Sequence, residues 1–165
     1  MPKISAILHT HNDAQRIGRA LESLRAVDEL LVIDNGSTDD TRKIARQHGA
    51  NVKKAVPGVN PGVYAVDAHH DWVLCLLPNE AAGESLEAAL FEWKQQQKEK
   101  QEESNDAPIH SYCVQIREET DGGWETRAPE TRLVNRKQIN WNETLPPNDP
   151  ASPALAGEIL RFHKP

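Results

Sequence analysis

The stretch DELLVIDNGSTDDTRKIARQHGANV, residues 28–52, contains a strand, a turn, a helix and the start of another strand. Glu29 to Asp34 is a short apolar run of the length a buried strand takes. Asn35-Gly36 supplies the turn, and Ser37, Thr38 or Asp39 can cap a helix that stops before Gly49. Asn51 to Ala55 then reads as a third strand. Strand followed by helix followed by strand is the pattern of a mainly parallel sheet covered by helices.

The same alternation extends outward on both sides. Lys3 to Leu8 reads as a buried strand, after which Asn12 or Asp13 offers a capping oxygen to a helix that places Ile17, Ala20, Leu21 and Leu24 on one face. Downstream, the loop PGVNPG at 57–62 leads into a short helix predicted to reach His70, where the His69-His70 pair complements the dipole. Trp72 to Leu77 is the strongest strand signal and the expected sheet centre. From Glu84 a helix buries Leu86, Ala89, Leu90 and Trp93, and Trp72, Leu90 and Trp93 read as core. Residues 94–107 are polar all round, a solvated helix end or linker. Ser111 to Glu119, the Asp121-Gly122-Gly123 turn and Trp124 to Asn135 predict an antiparallel hairpin. The Pro-rich stretch 145–153 reads as irregular, and Glu158 to His163 as a last strand. The reading is therefore one α/β domain.

Composition narrows the function. At 165 residues the chain can bury a core without staples. A net charge of −6 and the lack of a basic stripe argue against a nucleic-acid binder, because phosphate backbones are held by clustered Lys and Arg. Cys75 and Cys113 both sit in apolar runs, so a reduced, cytoplasmic setting is the simpler expectation. No run approaches the roughly 20 apolar residues of a transmembrane helix. Any membrane link would be peripheral.

In an open sheet of this type, ligands bind beyond the carboxyl ends of the strands, which selects the loops after Leu8, Asp34 and Leu77. Thr10, His11 and Asn12 follow the first strand, and Asp34 and Ser37 close the second; these are groups able to read a nucleobase and ribose. Taken from the chemistry alone, helix capping and turn formation are the commoner roles of Asn12 and Ser37 at such junctions. His9 and His11, two residues apart, could approach Glu80 to hold a metal ion, although no tight ligand spacing such as H-x-x-x-H occurs.

The order of these motifs resembles family-2 glycosyltransferases. ISAILHTHNDAQRIGRALESL at 4–24 carries T-x-N after its strand, residues 28–52 carry V-x-D-x-G-S-T-D, and Asp71-Trp72 opens a later strand. The likeness is greatest to the small bacterial members that act on lipopolysaccharide core and related surface glycans. It covers residues 1–93, with fragments in TRLVNRKQINW and GEILRFH. It implies a GT-A fold, a Rossmann-like three-layer sandwich with a mainly parallel sheet and a C-terminal antiparallel hairpin. Residues 1–93 would form the nucleotide-binding half and 108–165 a reduced acceptor half. Thr10, His11, Asn12, Asp34 and Ser37 would hold the base of a nucleotide-diphosphate sugar, and the acceptor would be a glycan or lipid of the cell envelope.

Three departures accompany that likeness. Where the family has D-x-D-E for Mg or Mn, this chain reads Leu77-Pro78-Asn79-Glu80, leaving Asn79, Glu80 and, from the last strand, His163 as metal candidates. An Arg-Asn pair becomes Pro61-Gly62. A His-Glu pair near the acceptor becomes Trp141-Asn142-Glu143-Thr144, so Glu143 is the nearest carboxylate to act as base, with Asp149 second. Two readings follow: a transferase, or a catalytically inactive relative that binds nucleotide, glycan or protein, with a homodimer or partner chain completing the acceptor side. A phosphoacceptor receiver using Asp34 is a third; no acidic pair after the first strand and no Lys ending a late strand support it.

Overall fold

A computed structural model describes residues 1–100 and 106–165; part of the polar run at 94–107 therefore lies outside the described residues. Among the described residues eight strands form one sheet: β1 (Ile4–Thr10), β2 (Glu29–Asp34), β3 (Asn51–Lys54), β4 (Trp72–Cys75), β5 (Glu80–Ala82), β6 (Ser111–Thr120), β7 (Gly123–Asn135) and β8 (Ala154–Arg161). Their spatial order is β3-β2-β1-β4-β7-β6-β8-β5. The first four are mutually parallel, β7 runs antiparallel to both β4 and β6, and β8 returns parallel to β6 and antiparallel to β5. β4 does stand at the centre, joining the parallel half to the hairpin. The sheet is mixed, parallel where helical crossovers connect strands and antiparallel where the Asp121–Gly123 turn does.

The helices α1 (Ile17–Glu22), α2 (Thr41–Gln47) and α3 (Glu84–Lys100) cover one face. Ile17, Leu21, Leu86, Leu90 and Trp93 meet Leu8, Val32, Leu74, Val114 and Leu133 from the sheet. Trp93 packs edge-on against both Trp72 and Tyr112, which are tilted against each other, with the two indoles 4.9 Å apart at their centroids. The opposite face is thinner. A 3-10 helix, Pro61–Asp67, and the segment around Trp141 cover Ile7, Leu31, Ile33, Val73 and Val134.

Several local expectations changed. Neither Asn12 nor Asp13 caps α1 through its side chain, and their oxygens are used elsewhere. The segment before β4 is the 3-10 helix and ends at Asp67, so His69 does not complete a helix; its ring lies 2.7 Å from Glu29. β4 ends at Cys75 rather than Leu77, and β8 begins at Ala154 rather than Glu158. The run from Lys94 is not polar on every side within the helix. Lys94 is buried and donates to the Ala26 carbonyl at 2.6 Å and to Asp28 at 2.7 Å. Asp28 also accepts from the Ile4 amide, so one carboxylate ties α3 to the start of β1. Both cysteines are free; burial pushes the Cys75 thiol up to about 12, which makes it inert.

On the thinner face His9 stands edge-on to Tyr64, and burial lowers its pKa from 6.5 to about 4. The unfolded chain therefore takes up a proton near the ordinary histidine value while the folded chain resists it down to about 4. Stability conferred by neutral His9 is fully present above pH 6.5 and is lost as pH falls toward 4. The loss is at most about 3 kcal/mol. Urea unfolding of the wild type and His9→Gln across that window should show a shallower pH dependence in the variant; equal slopes would assign the effect to other groups.

Candidate functional site

β1 and β2 end side by side, with Thr10 opposite Asp34 in the parallel register, so the loops that follow them start together. They are then cross-braced. The Asn12 amide donates to Ser37 Oγ at 2.9 Å, and the Thr38 amide donates to Asn12 Oδ1 at 2.8 Å. His11 Nδ1 lies 2.7 Å from the Asn35 carbonyl. Asn12 takes a positive φ of 52°, a conformation that asparagine tolerates better than most residues, and this places its amide between the loops. The five residues expected to hold a nucleotide therefore lie in one connected lattice.

Within that lattice the residues differ in access. Thr10 and Asp34 are only 2% and 1% exposed. Thr10 Oγ1 donates to Asp13, and Asp34 accepts from both the hydroxyl and the amide of Ser37. Arg42 approaches the Asp34 carboxylate at 3.9 Å. These groups shape the floor. The surface offered to a ligand consists of the exposed His11 and Asn12 on one loop and Asn35 and Thr38 on the other. At the start of α2, Asp39 accepts from the Thr41 amide at 3.0 Å, so of the three capping candidates it is the one that reaches the helix.

The residues at 77–80 have a different role from the one their position suggested. Glu80 is fully buried at the start of β5, a strand that sequence reading missed. Its two oxygens accept from Arg132 Nη1 at 2.7 Å and Nη2 at 2.8 Å, from Arg161 Nε at 3.0 Å and from the Leu77 amide at 2.9 Å. Glu130 joins both arginines, at 3.1 Å and 2.9 Å. Burial opposes the charge on Arg132, yet its hydrogen bonds to Glu80 outweigh that and raise its pKa. Burial likewise pushes Glu130 up, but the neighbouring Arg132 charge holds its carboxyl below the usual range.

This arrangement does not fit Mg or Mn. A hard cation favours anionic oxygen donors, whereas Leu77 has none, Asn79 offers only a neutral amide oxygen while its Nδ2 donates to the Phe162 carbonyl, and Glu80 is enclosed by two guanidinium groups. His163 stands apart as an exposed ring 3.0 Å from Glu118. Among the described residues no cluster of three or more His, Cys, Asp or Glu is placed to hold a metal ion, and His9, His11 and Glu80 do not form one. Of the expected set, Asn79 meets the Phe162 carbonyl, Glu80 the two arginines and His163 the carboxylate of Glu118. Arg132 was missed entirely, although an arginine inside the apolar strand run T-R-L-V signals a buried acid partner.

Glu143 is exposed on the segment that crosses the thinner face. That segment is held at Gly62, whose amide donates to the Asn142 carbonyl at 3.1 Å. A Cβ on Gly62 would fall 2.0 Å from the Trp141 carbonyl oxygen, so only glycine allows this approach. The structure therefore brings Glu143 to the pair Pro61-Gly62. Asp149, in contrast, accepts from the Ala151 amide and serves a turn.

The match to known proteins falls on these loops. The model for glycosyl transferase family 2 matches residues 5–61. An uncharacterized glycosyltransferase of Rickettsia felis is 41% identical over 91 residues, covering 53% of this chain and 32% of the relative, and one from Rickettsia prowazekii is 38% identical over 91 residues, covering 53% and 31%. The chain spans about a third of the length of these relatives. A crystal structure of a mycobacterial protein, 22% identical, matches 72% of this chain and 42% of its own length with a TM-score of 0.51. Residues 5–61 are thus similar to glycosyl transferase family 2, and the mixed α/β sheet that continues them is shared with the mycobacterial structure.

Two substitutions test the geometry. Glu80→Gln leaves buried Arg132 with only Glu130, at 3.1 Å, as its acid partner and should cost about 3 kcal/mol in urea unfolding, with part recovered in the Glu80→Leu, Arg132→Met pair. Gly62→Ala should lower stability by more than about 2 kcal/mol. A Gly62→Ala protein as stable as wild type would show that the Trp141 segment is not held there.

Proposed function

We propose that the chain binds a nucleotide-diphosphate sugar at the carboxyl ends of β1 and β2 and transfers the sugar to a glycan or lipid acceptor. The observation that carries this reading is the cross-braced pair of loops at Thr10–Asp13 and Asp34–Asp39, which coincides with the family match. His11, Asn12 and Thr38 would contact the base and ribose, while buried Thr10, Asp34 and Ser37 fix the loops that present them. Glu143 would take the proton of the acceptor hydroxyl, because its segment docks on the residues that adjoin the nucleotide in the family likeness.

The diphosphate would be held without Mg or Mn, since the D-x-D element is altered to Leu77-Pro78-Asn79 and Glu80 is committed to Arg132 and Arg161. Residues 1–93 form the donor half in this reading and 108–165 the acceptor half, in a protein that works at the cytoplasmic membrane face. The donor-site losses also favour a second reading, in which the chain binds nucleotide sugar but turns none over.

Thermal shift with a panel of nucleotide-diphosphate sugars, with Mn and with chelator, tests both readings. A shift that survives the chelator is expected, and no shift with any nucleotide would sink both. Leu77→Asp with Asn79→Asp should make the shift metal-dependent; an unchanged shift would show that residues 77–80 do not adjoin the diphosphate. Glu143→Gln should keep binding and lower turnover by roughly 100-fold or more if transfer occurs.

A further inference from the structure

The edge of the sheet at β3 combines two features of a surface that enters an interface. The 3-10 helix points Tyr64 and Ala65 inward and leaves Val63 and Val66 on its outer side, 46% and 68% exposed. Val56 and Val59, in the turn that precedes it, are 58% and 39% exposed. Such large apolar side chains are ordinarily scattered over a surface, and a concentration of four within eleven residues marks a contact site. The segment is held stiffly: the Val56 amide donates to the Tyr64 hydroxyl at 2.6 Å, Lys53 pairs with Asp67 at 2.9 Å, and Gly62 is locked against Trp141.

Charge is segregated to the same edge. Residues 41–66, which comprise α2, β3 and this apolar segment, contain five Lys and Arg and no Asp or Glu. Because the whole chain carries 19 basic and 25 acidic residues, the remaining residues sum to −11 against +5 here. Lys43 and Arg46 on α2 and Lys54 on β3 are exposed, while Arg42 and Lys53 face Asp34 and Asp67. Lysines on an edge strand also discourage strand addition, which accounts for Lys53 and Lys54 but not for the α2 pair or the valines.

We infer that this edge docks on an anionic lipid surface, the valines entering the interfacial layer and Lys43, Arg46 and Lys54 meeting the headgroups. An acidic protein would otherwise be repelled by such a surface, so a segment of net +5 against −11 for the remainder selects one orientation. β3 runs parallel to β2 and ends beside Asp34, so docking there would hold the proposed nucleotide loops next to the membrane. This rests on the proposed function only for its use, a lipid-borne acceptor; the surface itself is defined without it.

The test is co-sedimentation of the full chain with phosphatidylcholine vesicles with and without phosphatidylglycerol. Binding is expected to the anionic vesicles only and to weaken with salt. Lys43→Glu with Lys54→Glu should weaken partitioning by more than about tenfold, since each basic residue near the surface contributes about fivefold. Val63→Ser with Val66→Ser should weaken it severalfold while leaving any nucleotide-induced thermal shift unchanged, so that failure of the nucleotide reading and failure of this one are read separately. No binding to anionic vesicles, or equal binding to neutral ones, overturns the inference. So does a dimer in light scattering that the valine variant dissociates, because the patch would then belong to a second copy.

Discussion

The buried contact between Glu80 and Arg132 is the constraint on which the second half of the molecule depends. Glu80 opens the three-residue strand at one edge, Arg132 lies in β7, and Arg161 lies in β8, so one carboxylate connects strands that are far apart in sequence. A fully buried ion pair of this kind contributes little net stability against an apolar replacement, yet removal of one partner is costly. Its main effect is specification. β5 is too short to choose its neighbour by hydrophobic pattern, and the guanidinium pair fixes it against β8.

That commitment also defines the site. A carboxylate held by two arginines cannot serve a divalent ion, and its neighbours at 77 and 79 offer no anionic oxygen. The loops after β1 and β2, by contrast, are braced by bonds that leave His11, Asn12 and Thr38 exposed. In the proposed reading the donor site is organised around the β1 and β2 ends, and residues 77–80 serve the scaffold instead of the diphosphate.

The parallel half was legible because its signals are local. Glu29–Asp34, the Asn35-Gly36 turn and the amphipathic helices each follow from a short window, and β1, β2, β3 and β4 fell where the apolar runs placed them. What sequence reading missed was set by long-range contacts. β5 exists because Glu80 meets Arg132 and Arg161, Lys94 is buried because Asp28 lies beneath it, and Gly62 is needed because Trp141 crosses it. Asn12 illustrates the limit at the site itself. Its residue type suited both a helix cap and a ligand contact, and only the second loop, which accepts its amide proton and donates to its side chain, decides that it bridges rather than caps.

The central claim, that nucleotide is held at the braced loops without a metal, is tested most directly by NMR titration of the labelled chain with a nucleotide-diphosphate sugar in the presence of a chelator. The account predicts that the amides of Asn12 and Thr38 shift saturably while those of β5 do not. Shifts that appear only when Mg is added, or that avoid both loops, would contradict it.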